Sequence, residues 1–590
     1  MPTVHAWRSV LFATWLAVCL CVGSASAAPY REDSEVFILR VVVRTPAAIA
    51  RLTEGRYDVL EARDGDALFV LGDRAVLQSL RGEGFEVSIH ARLPNQQTAF
   101  APFSYFGGYR TVAEHYAHMN AIADMYPELA LVVDYGDSWR KINSRPDGHD
   151  LLAICITKRR PNDCQLTPNT DKPRFLLIAA IHARELSTSE MAWRWIDELV
   201  NHYGQNPDIT WLLDYHEMWV IPVANPDGRH LVEQGGSAPY LQRKNMNDSG
   251  GTCPPPGEPN YAYFQPGVDL NRNASFKWGG AGSSNAPCDQ TYRGTGAASE
   301  PEQLALETLM TQLFADARGP LDSDAAPITT TGVMLTLHSF SDLILLPWGW
   351  TNCSGPCPPS QRAPNDAGLR AFAFRMSYYN GYAVGQASEL LYPASGTTDD
   401  WAYGVLGVPS FTFEIGPVSS SCGLFTPDYA CQDGLFWPLN RGAFLYAAKV
   451  ARQPYALAHG PTTLSVTLSS SAVISGQAVT ITALVRDDAY GSAANSVGRP
   501  LVRQITAAEA YVNLPYWAGG TPISMTAQDG TFDTPSEIAI ATLDTSGLGV
   551  GRHLIFVRAQ NAAGHWGPPT AQWLTVLGSQ RWYLPIAYRE

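Results

Sequence analysis

Unbroken apolar runs constrain this chain more than any other feature. They lie within residues 150–156, 175–181, 217–223 and 331–337, and a separate short strand pattern, SFTFE over 410–414, ends on Glu414. A strand with one wet face alternates apolar and polar residues, so runs without alternation read as strands buried on both faces. Helical patterns at 110–125, 188–203, 300–316 and 363–378 are interleaved with them. Residues 104–455 are therefore expected to form an α/β unit with helices on both faces of a central sheet. In such sheets functional side chains gather at the carboxyl ends of the strands.

Metal-ligand types stand at those ends. His182 directly follows the run 175–181, with Glu185 three positions on, and His338 directly follows 331–337. Two imidazoles and one carboxylate suit Zn²⁺ and leave a fourth position for water, which is the donor pattern of a catalytic rather than a structural site. His-x-x-Glu is weak alone, and the chain carries a second copy, His230 and Glu233, which follows an Asn-Pro-Asp-Gly turn and reads as an ordinary polar pair. After the first copy, Ser187 and Glu190 read as a capping box opening a helix. Glu414 ends its own run and is the candidate general base; Arg243 and Arg272 are candidate cations for a developing oxyanion or a carboxylate.

The flanks read differently. Residues 1–27 carry a basic residue, a short apolar stretch and the small residues Ala25, Ser26 and Ala27, the pattern of a cleaved secretory signal. Residues 28–103 contain a strand–helix–strand–strand–helix–strand order over 34–92, a ferredoxin-like βαββαβ pattern, then a polar connector open to proteolysis. Residues 456–577 are short β-rich runs between Gly, Ser, Asn and Asp, expected as an Ig-like or fibronectin-like β-sandwich whose partner is unknown, followed by a tail at 578–590. Eight cysteines remain after the signal, an even number in an exported chain. Near neighbours suggest Cys155–Cys164, Cys253–Cys288, Cys353–Cys357 and Cys422–Cys431. The net charge of −14 argues against nucleic acid or an anionic membrane as partner, and no later segment is apolar enough to span a bilayer.

Six segments taken in order, IHARE, NPDG, QRK, DLNRN, LHSFSDLILLPWG and SGTTDDWAYG with FTFE, resemble the zinc carboxypeptidase family of carboxypeptidases A and B. The resemblance implies an α/β/α sandwich around a mixed eight-stranded sheet, a secreted metallopeptidase acting on the C-termini of peptides and proteins, and one zinc ion on His182, Glu185 and His338. It implies Glu414 as the base that activates water and later protonates the leaving amine, and Arg243 as the residue at the scissile carbonyl. Asn271 and Arg272 become the clamp on the terminal carboxylate and Tyr392 the tyrosine that closes over substrate. Arg184 becomes a subsite arginine and Asp269 the partner of His182. Asp399, seven residues after the tyrosine, stands where members that cut basic C-termini carry an acid. The unit at 34–92 has the position and size of the family's activation segment, and can be a removable inhibitor of a zymogen or a permanent domain.

The chain departs from that pattern at Ala274, where an aromatic often stands, and in the C-terminal β-unit, which the digestive enzymes lack. A cell-wall relative cleaving γ-D-glutamyl bonds would share the zinc residues and base. A deacylase would lack the clamp. A non-catalytic protein binding through the β-sandwich would have lost a ligand or the base, and none is missing.

Overall fold

The computed structural model describes residues 35–93 and 106–578, apart from 169, 259, 354 and 419–421. The stretch expected as a signal sequence, most of the connector after the N-terminal unit and most of the tail lie outside the described residues.

The central sheet has eight strands: β5 (Ala130–Asp137), β6 (Asp150–Ile156), β7 (Arg174–Ala179), β8 (Glu217–Ile221), β9 (Val333–His338), β10 (Leu343–Leu346), β11 (Ala383–Gln386) and β12 (Ser410–Glu414). Their order is β11-β10-β12-β9-β7-β8-β6-β5. The four inner strands β12, β9, β7 and β8 are parallel, and antiparallel neighbours at both flanks make the sheet mixed. Every residue of β7, β8, β9 and β12 is buried. Helices cover both faces, because strands without a polar face cannot border water. Leu186–His202 and Trp437–Val450 pack into the core on one side, Pro301–Leu313 and Thr398–Leu406 into that on the other.

Before it comes a four-stranded sheet of β1 (Phe37–Val42), β2 (Asp58–Asp64), β3 (Ala67–Gly72) and β4 (Glu86–Arg92), ordered β2-β3-β1-β4 with helices Pro46–Thr53 and Arg74–Gly82 in the connections. After it comes a β-sandwich of β13 (Thr462–Leu468), β14 (Ala472–Ile474), β15 (Ala478–Arg486), β16 (Ile505–Val512), β17 (Ile523–Ala527), β18 (Ser536–Asp544), β19 (Gly551–Asn561) and β20 (Thr570–Leu577). β17 pairs with both β16 and β18, joining two layers that enclose a shared apolar core. Tyr490, Tyr511, Leu554 and Phe556 of this sandwich belong to the same apolar cluster as Trp195, Trp211 and Phe444 of the central unit. Four disulfides join Cys155–Cys164, Cys253–Cys288, Cys353–Cys357 and Cys422–Cys431.

The capping box expected at Ser187 and Glu190 does not form. The helix starts at Leu186, one residue before Ser187, and Glu185 occupies the cap position without a side-chain cap bond. Glu190 is instead bound by the backbone N–H and guanidinium of Arg110 and by the Tyr429 hydroxyl, so distant chain claims the carboxylate that local spacing had assigned to the cap.

Candidate metal centre and cleft

Three neighbouring parallel strands end together, and the site is built on their ends. His338 is the last residue of β9 and Glu414 the last of β12, facing one another in register. β7 ends at Ala179, after which Ala180 adopts a left-handed φ of 52° and turns the chain outward. That turn is pinned: the Asn225 side-chain amide donates to the Ile181 carbonyl at 3.1 Å and the Ala183 N–H to the Arg243 carbonyl at 3.0 Å. His182 and Glu185 are thereby aimed back at the ends of β9 and β12.

His182 Nδ1 lies 2.7 Å from Glu185 Oε1 and His338 Nδ1 3.2 Å from Glu185 Oε2, while the two Nδ1 atoms are 3.0 Å apart. The outer nitrogens are tied down, His182 Nε2 to Asp269 Oδ1 and His338 Nε2 to Thr336 Oγ1, each at 3.2 Å. Both rings therefore present Nδ1 inward, and two lone pairs beside a carboxylate in a buried space call for a cation between them. The titration directions agree. Burial and Arg243 push the His182 imidazole down, but Glu185 and Asp269 outweigh them and its pKa is raised. Burial pushes the Glu185 carboxyl up, and the two histidines reverse this and hold it low, at about 2. Among the described residues this is the one His/Cys/Asp/Glu cluster whose donors converge within 4.8 Å. The donor set fits zinc.

Asp269 also accepts from Arg243 Nε and Nη2, at 3.1 and 3.0 Å, linking that guanidinium to the back of His182. Arg272 is held by donating Nε to the Gly282 carbonyl at 2.8 Å. Asn271 accepts the Thr398 N–H at 3.0 Å, which fixes the start of the helix that carries Asp399. Asn271, Arg272, His338, Tyr392, Asp399, Thr412 and Glu414 line one small cavity. Glu414 Oε2 has no hydrogen-bond partner there. Burial, then the nearby Glu185 and Glu61, push its carboxyl well up, with Arg243 and Arg272 opposing more weakly. Asp400 takes the backbone N–H groups of Gly349 and Trp350, so it is Asp400 rather than Asp399 that fastens the turn.

Two acids that sequence reasoning missed complete the picture. Glu61, on β2 of the N-terminal unit, accepts from Arg243 Nη1 and Nη2 at 3.0 and 2.7 Å and lies 3.5 Å from Arg272. Burial pushes its carboxyl up, but Arg243, His182 and Arg272 together hold it far below the usual carboxylate range. Asp58 pairs with Arg184 at 2.8 and 3.2 Å, and the Tyr392 hydroxyl donates to the Val59 carbonyl at 3.0 Å. Strand alternation in β2 marks a strand but carries no sign that its acids face another unit's arginines. His230 and Glu233, the second His-x-x-Glu pair, lie on helix Pro226–Gln234 away from this centre.

The fold and the donor set define a mononuclear metal centre of hydrolase type at the edge of an α/β sheet. Residues 115–432 match the zinc carboxypeptidase family, and the chain belongs to it. The buried triad His182, Glu185 and His338 is the cluster whose donors fit the family's one zinc ion. The chain is 30% identical to mouse carboxypeptidase A2 over 322 residues, 54% of this chain and 66% of that enzyme, just under two thirds of its length. It is 27% identical to a zinc carboxypeptidase of Saccharothrix mutabilis subsp. capreolus over 432 residues, covering 70% of this chain and 89% of the relative. The crystal structure of carboxypeptidase A from Helicoverpa armigera superposes with a TM-score of 0.53 at 22% identity, over 72% of this chain and 98% of the other, a likeness of fold.

Proposed function

We propose that this chain is a secreted zinc metallocarboxypeptidase that removes the last residue of peptides, prefers Lys or Arg there, and is made with its N-terminal unit as an inhibitor. The observation that carries the reading is the convergence of the donor triad, two buried arginines, Glu414 and Asp399 on one cleft. Zinc supplies a Lewis acid and a lowered water pKa. Glu414, unpartnered at Oε2 and shifted up by burial, takes the proton of the attacking water and returns it to the leaving amine. Arg243 offers N–H donors where the carbonyl oxygen gains charge.

Arg272 and Asn271 hold the substrate's terminal carboxylate, and Tyr392 closes over it. An internal peptide bond would leave Arg272 buried without an anion, at a cost of about 1–3 kcal/mol or more, which confines cleavage to chain ends. Asp399 pairs with a basic side chain in the cavity below. As described, Glu61 sits on both arginines, in the place a substrate carboxylate would take. Eight cysteines joined as four disulfides support an oxidising, extracellular setting. No helix among the described residues is long and apolar enough to cross a membrane.

The test is release of free Lys or Arg from short peptides by the zinc-loaded chain, cleaved within residues 94–105. A chelator should abolish it, and Glu414→Gln should lower kcat by about 10³-fold while zinc stays bound. An unchanged rate in that variant would overturn the mechanism.

A further inference from the structure

The segment that leads to Tyr392 is held from behind by a polar knot that reaches into the C-terminal β-unit. Arg370, on helix Asp366–Asn380, is 3% exposed. Its Nη2 donates to both oxygens of Glu389 at 3.1 and 3.0 Å, its Nε to both oxygens of Asp366 at 2.9 and 3.0 Å, and its Nη1 to the Val497 carbonyl at 2.6 Å. Glu389 in turn accepts the backbone N–H groups of Cys357 and Gln386, at 2.9 and 2.8 Å. One buried guanidinium therefore fixes the turn Ala387–Leu390, from which the chain runs directly into Tyr392.

Val497 comes from the long connection between β15 and β16, part of the other unit. That connection also lies along β11, the edge strand of the central sheet. The Val497 N–H donates to the Val384 carbonyl at 2.7 Å and the Val384 N–H to Ser496 Oγ at 3.1 Å. Its apolar side chains, Ala493 and Val497, pack on the cluster containing Leu390, Leu391 and Tyr392. A free edge strand would be both sticky and pliable; here it is covered.

We infer that the C-terminal β-unit acts inside the molecule, its 488–500 connection setting the position of Tyr392 through Val497, Arg370 and Glu389, with Arg370 as a positioning residue. The reasoning is geometric. A guanidinium fork has fixed donor directions, so its position is read by Glu389 on one side and by Val497 on the other. If Arg370 shifts, a buried carboxylate loses its partner and the turn before Tyr392 must move with it. The inference rests on Tyr392 being the residue that closes on substrate.

Removing Arg370 outright invites misfolding, so the test begins in the other unit. Gly498 has a φ of +77°, and a Cβ there would stand 2.7 Å from Arg370 Cδ. Gly498→Ala therefore pushes on Arg370 while deleting no polar group, and Arg370→Lys keeps the charge but loses the fork. Two readouts apply: amide exchange over residues 386–392 in the full chain, and peptide kinetics after cleavage within 94–105. We expect both variants to speed exchange there and to raise KM about tenfold with kcat changed less than about twofold. In a Tyr392→Phe background the same substitutions should add little, because they act through that side chain. Exchange and KM equal to wild type would overturn the inference, and so would full additivity with Tyr392→Phe, which would mark general damage. If the wild-type chain cleaves no peptide, the carboxypeptidase reading fails instead, and the exchange experiment alone decides this one.

Discussion

Asp399 and Asp400 are adjacent acids with separate tasks. Asp400 is spent on two backbone N–H groups and, under burial and the nearness of Asp399, has its carboxyl pushed well up. Asp399 lines the cavity with Thr412 and Arg272. A basic substrate side chain reaching it would gain a charge-assisted pair in a dry pocket, while an apolar one would strand the carboxylate. Asp399→Ile should accordingly lower kcat/KM for C-terminal Lys and Arg by about 10²-fold and raise it for Leu and Phe. Peptides varied only at the last residue measure this, and an unaltered profile would remove Asp399 from specificity. At this scale the sequence was legible where a residue's neighbours in the chain are also its neighbours in space. His182 follows shortly after β7, His338 and Glu414 end β9 and β12, and those two strands set His338 opposite Glu414. Glu61 was not legible, because its partners lie 182 and more residues away.

At the scale of elements, the two His-x-x-Glu copies show what context decides. The first follows a buried parallel strand and turns its donors into the cleft. The second lies within a helix, where Glu233 accepts the Val112 N–H at 2.7 Å and so ends up beneath the start of helix Val112–Met125. Burial pushes its carboxyl from 4.5 up to about 7, with Arg229 opposing more weakly. A folded-state value above the unfolded one means that folding favours the protonated acid. The contribution is complete below the ordinary carboxylate range and is lost as pH rises through about 7. Stability of the central unit should thus fall between about pH 5 and pH 8, and Glu233→Gln should flatten that fall by about 3 kcal/mol at most. Urea unfolding of both proteins at the two pH values checks it; equal slopes would show Glu233 ionised throughout. The failed capping box teaches the same point from the other side. Spacing within one helix named Ser187 and Glu190 correctly as polar and near the start, yet Arg110 and Tyr429, remote in sequence, took the carboxylate.

For the whole molecule, the three sheets are less independent than their sequence textures suggest. Composition changes marked where one texture gives way to the next, but nothing in it announced that a single apolar cluster would run from Phe37 and Val70 through Leu345 and Leu391 to Val497. Interfaces between units are written in side chains that each unit's own pattern treats as surface. The sharpest consequence concerns Glu61. Its carboxylate binds Arg243 and Arg272, Asp58 binds Arg184, and the Val59 carbonyl holds the Tyr392 hydroxyl, so three residues of one strand occupy the cleft at once. On the proposed function, the Glu61 contacts must break before a peptide carboxylate can reach Arg243 and Arg272. The uncleaved chain should therefore be nearly inactive, and cleavage within 94–105 should release activity. Glu61→Gln in the uncleaved chain removes the charge that competes with substrate while keeping the side chain's size. Losing a charge-assisted pair weakens occlusion by about 1.5–3 kcal/mol, so basal turnover should rise about tenfold or more, short of the cleaved enzyme because Asp58 and Val59 still hold. Equal rates for cleaved and uncleaved wild-type protein would mean that the N-terminal unit leaves the cleft on its own, and Glu61 would then be a contact without a regulatory role.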